Sequence, residues 1–182
     1  MAFMNNGAGP TCVLELLGVA GAGKTTVLRA LMGRLAGVLD GTRTARRRYW
    51  CRTLCSTLRH RCGLRRGDPR DLPRTWRAAK NLAYLDAFRR VVTDFPTPTC
   101  QAIVFDHGPL YRLGRLRPEN GRPVVSSDSV SCWNAALRYW SARLDMVVLL
   151  SAPDTALIER VLARPNHHRI KDMAPAAAGR FV

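Results

Sequence analysis

One run of residues has types and spacing that point directly to chemistry. Gly18-Val-Ala-Gly21-Ala22-Gly23-Lys24-Thr25 fits the pattern G-x-x-x-x-G-K-[ST] at every fixed position. The chemistry served by that spacing is the binding of nucleotide phosphates. Glycines let successive backbone N–H groups turn toward one anion, and a helix that starts at the loop adds its positive dipole end. Lys24 would reach the β- and γ-phosphates as a mobile charge, the Thr25 hydroxyl would ligate Mg²⁺, and Ala22 and Thr26 would complete the loop's contacts with the nucleotide. A second chemical signal is Asp106, which follows the apolar run Cys100-Gln-Ala-Ile-Val-Phe105 and precedes His107-Gly108-Pro109. A carboxylate at the C-terminal tip of a parallel strand is where the second metal-binding group of a phosphate loop belongs. The alternative role for Asp106 is a cap on the helix or turn that follows.

These groups need strands and helices to hold them. Cys12–Leu17 reads as a short buried strand, and an opening helix follows from Thr26, with Leu28, Leu31 and Leu35 as its apolar stripe, fading at Gly37. A second strand is expected near Val38 and Leu39. From Asp40 to Arg77 arginines interrupt every apolar period. Within that block Tyr49, Trp50, Leu54 and Leu58 fit one side of a short helix, with arginines on the other. The arginine block is either a solvated basic face or a surface turned toward phosphate, since guanidinium groups suit bidentate phosphate contacts. Arg74 to Thr93 is a clear helix, with Trp76, Ala79, Leu82, Ala83, Leu85, Ala87, Phe88 and Val91 near helical spacing. Leu113 to Asp128 reads as a loop. Ser126-Ser-Asp128 offers a cap for a helix that buries Trp133, Ala136, Leu137, Trp140 and Leu144. Asp145–Leu150 is a further apolar strand, and a helix follows through Leu157, Ile158, Val161 and Leu162. Strands that are apolar on both faces and joined by helices predict an α/β fold in three layers, with a parallel sheet covered by helices on both faces.

Composition narrows the possibilities. At 182 residues and 47% hydrophobic, the chain suits one domain spanning 1–182, with a flexible N-terminus over 1–10 and a basic tail over 165–182. It has no apolar run of membrane-spanning length and no signal-type N-terminus, so no membrane association is expected and the expected location is cytoplasmic. Lys plus Arg total 29 against 13 acids, a net charge of +16, and arginine carries nearly all of it. Such a field favours phosphate-bearing partners, although an arginine-rich, alanine-rich composition also follows from a GC-rich coding bias. The six cysteines form no disulfide framework, and Cys51, Cys55, His60 and Cys62 lack the paired C-x-x-C hooks of a structural zinc site.

Taken together, Gly18 to Thr26, the strand ending in Phe105-Asp106-His107-Gly108-Pro109, the segment Asp145 to Pro153, and Leu157-Ile-Glu-Arg160-Val-Leu-Ala-Arg164 resemble the P-loop nucleoside and nucleotide kinases, most nearly the thymidylate-kinase-like group. The resemblance implies a P-loop NTPase fold, ATP and Mg²⁺ as donor and cofactor, and a small-molecule phosphoryl acceptor. It also implies Lys24, Asp106, Arg160 and Arg164 in catalysis, with Arg160, Arg164 and Arg169 near the donor or in a lid over the phosphates. Thr25 and Asp106 are the metal residues under this reading. A homodimer is compatible with it. Two departures stand out: many relatives carry arginine directly after the strand-end acid, where this chain has His107, and the chain ends soon after the lid-like segment, as if minimal or shortened at its C-terminus.

The competing reading is a P-loop ATPase or nucleotide-binding module that uses the Arg43–Arg77 block to bind nucleic acid or another acidic partner. A kinase acting on a polynucleotide end would combine both. A regulatory GTPase is disfavoured, because the sequence offers neither an N-K-x-D motif nor a D-x-x-G switch after the second strand.

Overall fold

The computed structural model of the chain describes residues 12–63, 72–95, 99–116 and 127–163. In chain order the elements are β1 (Cys12–Leu17), α1 (Lys24–Arg34), β2 (Val38–Asp40), α2 (Gly41–Arg48), α3 (Trp50–Gly63), α4 (Leu72–Asp94), β3 (Ala102–Asp106), α5 (Pro109–Leu116), α6 (Ser127–Ser141), β4 (Met146–Leu149) and α7 (Asp154–Leu162). The four strands form one sheet in the order β2-β3-β1-β4, and every pairing is parallel. The register sets Leu16 opposite Asp106 and Leu17 opposite Leu149, so the C-terminal tips of β1, β3 and β4 end side by side. From β1 the chain crosses to β2 on one side of the sheet, and from β3 it crosses to β4 on the other. The crevice between such diverging connections is where open α/β sheets receive ligands.

Successive side chains of a strand point to opposite faces, and the two faces of this sheet have different covers. On one face Leu16 and Val104 pack with Leu28 of α1, supported by Leu14, Val27, Val38 and Val148. On the other, Val13, Ile103 and Phe105 are buried with Ala45 of α2, Tyr49 between α2 and α3, Phe88 and Val91 of α4, Leu113 of α5 and Trp140 of α6. An aromatic chain crosses this larger core, with ring centroids 4.9 Å apart for Phe88 and Phe105 and 6.1 Å for Phe105 and Trp140. Burial of one such ring contributes roughly 1.5–3 kcal/mol. The fold is therefore α/β, with an all-parallel sheet between helices, as the apolar strands predict.

Four local expectations need correction or addition. α3 is helical, yet Trp50, Leu54 and Leu58 are 57%, 49% and 53% exposed, while Thr57 is buried. The apolar stripe is not the packing face, because α3 lies chiefly along α4 and turns Thr57 inward. Likewise β4, read as a strand covered on both sides, exposes Met146, Val147 and Leu149, because it is the edge strand of the sheet. Residues 109–116 were expected to run into a loop from Leu113 but form α5, whose first N–H groups find a carboxylate from another element, described below. The fourth is α2, hidden in sequence by its arginines. Asp40 Oδ1 caps it by accepting from the Arg43 N–H at 2.7 Å. Its inward face is small. A Cβ on Gly41 would lie 2.5 Å from the Phe105 ring, and Ala45 is fully buried, so α2 sits close on the sheet and holds its long side chains away from it.

Candidate active site

The glycine loop leaves β1 and turns into α1 through backbone conformations that L side chains rarely adopt. Gly18, Gly21 and Gly23 have φ of 145°, 91° and 91°, and Gly23 is the residue from which α1 starts. A Cβ on Gly18 would collide with the Leu150 carbonyl, and one on Gly21 would come 2.9 Å from the Leu157 carbonyl of α7. The loop is thus wedged between β4's exit and α7. Lys24 is buried and reaches back across the loop, its Nζ donating to the carbonyls of Gly18 at 2.7 Å and Val19 at 2.9 Å. Arg160 on α7 approaches the same loop, with Nη1 3.4 Å from the Gly21 carbonyl.

Asp106 closes the other side. Thr25 Oγ1 donates to Asp106 Oδ2 at 2.7 Å, although 81 residues separate them in sequence. The strand register produces this contact, since Asp106 pairs with Leu16 just before the loop begins. Thr42 Oγ1 donates to the Asp106 carbonyl at 2.7 Å and ties the start of α2 to the same tip. Asp106 Oδ1 is buried and has no hydrogen-bond partner among the described residues. A buried carboxylate oxygen left unpaired, beside a hydroxyl already aligned, is the donor set that a hard divalent cation favours. The residues present therefore fit Mg²⁺ at Thr25 and Asp106, and the glycine cradle with Lys24 fits nucleotide phosphates.

Asp106 does not serve as the cap of the next helix. That role falls to Glu15, a fully buried residue of β1 whose oxygens accept from the N–H groups of Leu110 at 2.7 Å and Tyr111 at 3.0 Å. Desolvation pushes the Glu15 carboxyl up to about 7, although its backbone hydrogen bonds oppose the rise. Nothing but a lone acid in an apolar strand marked this residue in the sequence. His107 has a left-handed backbone, φ 60°, and its ring sits 4.5 Å from that of Tyr111. Desolvation holds its imidazole below the ordinary range, against the pull of Asp106, so the 3.7 Å approach of Nε2 to Asp106 Oδ1 is no ion pair at neutral pH.

Beyond Asp106 opens a cleft of about 850 Å³, bordered by Thr25, Asp106 and His107 on one side and by Arg43, Arg46 and Arg47 of α2 on the other. Arg112 of α5 also lines it. Its guanidinium lies 4.2 Å from the Tyr84 ring centre and 5.5 Å from that of Tyr111, and Nη1 donates to Asn81 Oδ1 at 3.1 Å. The sequence marked Arg43, Arg46 and Arg47 only as part of the basic block, and Arg112 not at all.

Of the residues expected to act together, Gly18, Gly21, Ala22, Gly23, Lys24, Thr25 and Asp106 share one site, and Arg160 borders it. Thr26 lies in the first turn of α1 and is exposed. Arg164, Arg169 and the 165–182 segment lie outside the described residues. Cys51 and Cys55 are exposed free thiols, the side chains of His60 and Cys62 lie outside the described set, and no cluster of three metal-ligating side chains occurs among the described residues. None of the described helices is long and apolar enough to cross a membrane.

No protein-family model matches the chain, and no curated protein matches it. Among solved structures it is similar to the crystal structure of TT1252 from Thermus thermophilus, with a TM-score of 0.52 and 18% sequence identity over 94% of this chain and 85% of that one. At that identity the likeness concerns the fold alone.

Proposed function

We propose that this protein has a P-loop NTPase fold and is an ATP-dependent phosphotransferase, passing the γ-phosphoryl group to a small acceptor of nucleoside or nucleotide type. The observation that carries the reading is the 2.7 Å hydrogen bond from Thr25 Oγ1 to Asp106 Oδ2, beside an Oδ1 that has no partner among the described residues. A glycine-rich turn matching the motif by chance would have no reason to meet a strand-end carboxylate in this way.

In this reading the donor triphosphate lies along Gly18–Thr25 with its γ-phosphoryl toward Asp106. Lys24 exchanges its bonds to the Gly18 and Val19 carbonyls for phosphate oxygens, which keeps its charge at the transferring group without a long side-chain search. Mg²⁺, when bound, offsets the charge on the β- and γ-phosphate oxygens. Thr25 and Asp106 hold that position, and Asp106 is kept in place by Thr42 through its backbone. The acceptor occupies the cleft beyond Asp106. Its oxygen forms the new P–O bond while the bond to the β-phosphate breaks, and the electron pair leaves with ADP; an ionised phosphate acceptor has no proton to lose, and a hydroxyl acceptor releases its proton to a phosphate oxygen or to water. Alignment and charge neutralisation supply most of the acceleration in such reactions. Arg160 adds charge on the loop side, and Arg164 and Arg169 are proposed for a lid that closes over the phosphates and excludes water.

The test is purified protein with Mg-ATP against a panel of nucleosides, monophosphates and aminoglycoside-like acceptors, scored for ADP and phosphorylated product. The expected outcome is ADP formation that depends on one acceptor class. A second reading draws on a groove of about 590 Å³ between α3 and α4, away from Asp106, which Arg52, Arg59, Arg89 and Arg90 line. A nucleotide-binding module acting on nucleic acid would use such a surface. ATP turnover that rises with nucleic acid, and with no small acceptor, would favour this second reading.

A further inference from the structure

We infer that the groove between α3 and α4 binds single-stranded nucleic acid, gripping its phosphodiester backbone through Arg52 and Arg59 of α3 and Arg89 and Arg90 of α4. The groove lies away from Asp106 and would hold a strand whatever reaction the glycine loop serves.

The groove follows from how the two helices pack. α4 turns Ala83 and Ala87 toward α3, and both are buried. Thr53 and Thr57 of α3 direct their hydroxyls to carbonyls of the preceding turn, donating to Tyr49 at 2.8 Å and to Thr53 at 2.6 Å. The floor is therefore small, and the long side chains stand on the rims. Two hydrogen bonds cross the helix pair, from Ser56 Oγ to Asp86 Oδ2 at 2.7 Å and from Tyr49 Oη to Asp94 Oδ2 at 2.9 Å. They fix an antiparallel register that sets Arg52 opposite Arg90.

Charge is concentrated on these rims. Four exposed arginines border the groove, against Asp86 in its wall and Asp94 at its end, and both carboxylates accept a hydroxyl. Both arginines of α3 whose side chains are described border the groove, whereas Trp50, Leu54 and Leu58 of the same helix do not. The helix is thus not evenly coated with charge. Arg89 is held in place by the Tyr139 ring of α6, 5.0 Å from its guanidinium. Arg52 and Arg59 are two helical turns apart, about 10 Å along α3. A chain of repeated phosphates can meet both, and a single phosphate cannot.

The lining decides the class of ligand. An acidic protein segment is normally anchored by a large side chain in an apolar pocket, and the lining of this groove holds no exposed large apolar residue. A phosphodiester backbone needs no such anchor, because phosphate contacts position it and counterion release supplies the affinity. Positive rims on both sides suit a lone strand, whose backbone is open from either side, better than a duplex, whose strands turn one side toward each other.

Fluorescence anisotropy on the full chain, with a labelled single strand of mixed sequence and a duplex of the same length, tests this across a salt series. The strand is expected to bind saturably, with a log–log salt slope of about −3 from four phosphate contacts. Arg52→Gln combined with Arg90→Gln is expected to weaken binding about 10-fold or more and to make the slope shallower by about 1.4. Arg34→Gln combined with Arg138→Gln removes the same charge from exposed positions outside the groove, and is expected to change affinity by less than about 2-fold. Equal losses in the two double variants overturn the inference, because total charge would then be the cause. Duplex binding as tight as the strand, or displacement of the strand by polyglutamate of equal charge, overturns the choice of ligand. Mg-ATP binding is measured separately and is expected to be unaltered in the groove variant. Strand binding that the groove variant loses, in a protein that does not bind Mg-ATP, supports the groove and overturns the phosphotransferase reading. Mg-ATP binding without strand binding overturns the inference alone.

Discussion

The glycine loop and the α2 wall face each other across Asp106 and are built on opposite principles. The loop's shape is a backbone matter: Gly18, Gly21 and Gly23 turn where other residues are strained, and the Lys24 side chain is held on carbonyls of the same loop. In the wall, the backbone is an ordinary helix and the side chains matter. Arg43, Arg46 and Arg47 gain their position because Gly41 and Ala45 bring the other face of α2 against β3. A backbone device requires fixed residue types at fixed spacing, whereas a side-chain device requires only that some long cations reach the same cleft. The glycine-loop side of the cleft therefore tolerates little change, and the α2 side has several ways of being made.

Substitutions sharpen or break this contrast, the largest effects falling on the loop and its partner acid. Asp106→Asn keeps an oxygen for Thr25 but removes the charge, and its phosphoryl-transfer rate is expected to fall by about 10²- to 10³-fold with an unchanged melting profile. A variant that merely unfolds would give Asp106 a structural role instead. Gly18→Ala tests the backbone claim. Its Cβ would collide with the Leu150 carbonyl at φ 145°, and a loss of about 1–3 kcal/mol is expected by denaturant unfolding, where an ordinary loop glycine would show none.

Glu15 gives a pH-dependent test of what holds the Asp106 turn. Its carboxyl titrates at about 7 in the folded chain, against an ordinary value of 4.5. Between these values the folded state binds the extra proton. This contribution to stability is complete below about pH 4.5 and is lost as pH rises through about 7. Glu15→Gln should flatten that part of the stability profile and cost about 1 kcal/mol for the weakened cap on α5. An unchanged profile would remove Glu15 from the account of the turn. Arg48→Ala marks the low end: it stacks on Phe95, away from the cleft, and is expected to change stability by about 0.5–1 kcal/mol while leaving acceptor affinity unaltered.

The same contrast explains what could be read from the sequence. Gly18–Thr25 was legible because its geometry allows few residues, and Asp106 because a strand tip is a fixed place in a parallel sheet. The parallel α/β arrangement followed from apolar strands alternating with helical periods. α2 was illegible, since its packing face is only Gly41 and Ala45 and its arginines drown any apolar period. On α3 the pattern misled: Trp50, Leu54 and Leu58 have helical spacing but lie exposed, because contact with α4 and not apolarity decided which face turned inward. Glu15 and Arg112 lacked any local signal. One is defined by N–H groups of Leu110 and Tyr111 and the other by Tyr84 and Asn81, all distant or unremarkable in sequence.

The most direct test of the central claim is equilibrium binding of Mg-ATP to the wild-type chain and to Lys24→Ala. Lys24 spans the loop from α1 to the Gly18 carbonyl, so its charge is already placed where the phosphates would lie. Saturable, Mg²⁺-dependent binding by the wild type and a loss of about 100-fold or more in a folded Lys24→Ala variant are predicted. Equal binding by the two proteins would contradict the assignment of this loop to nucleotide phosphates.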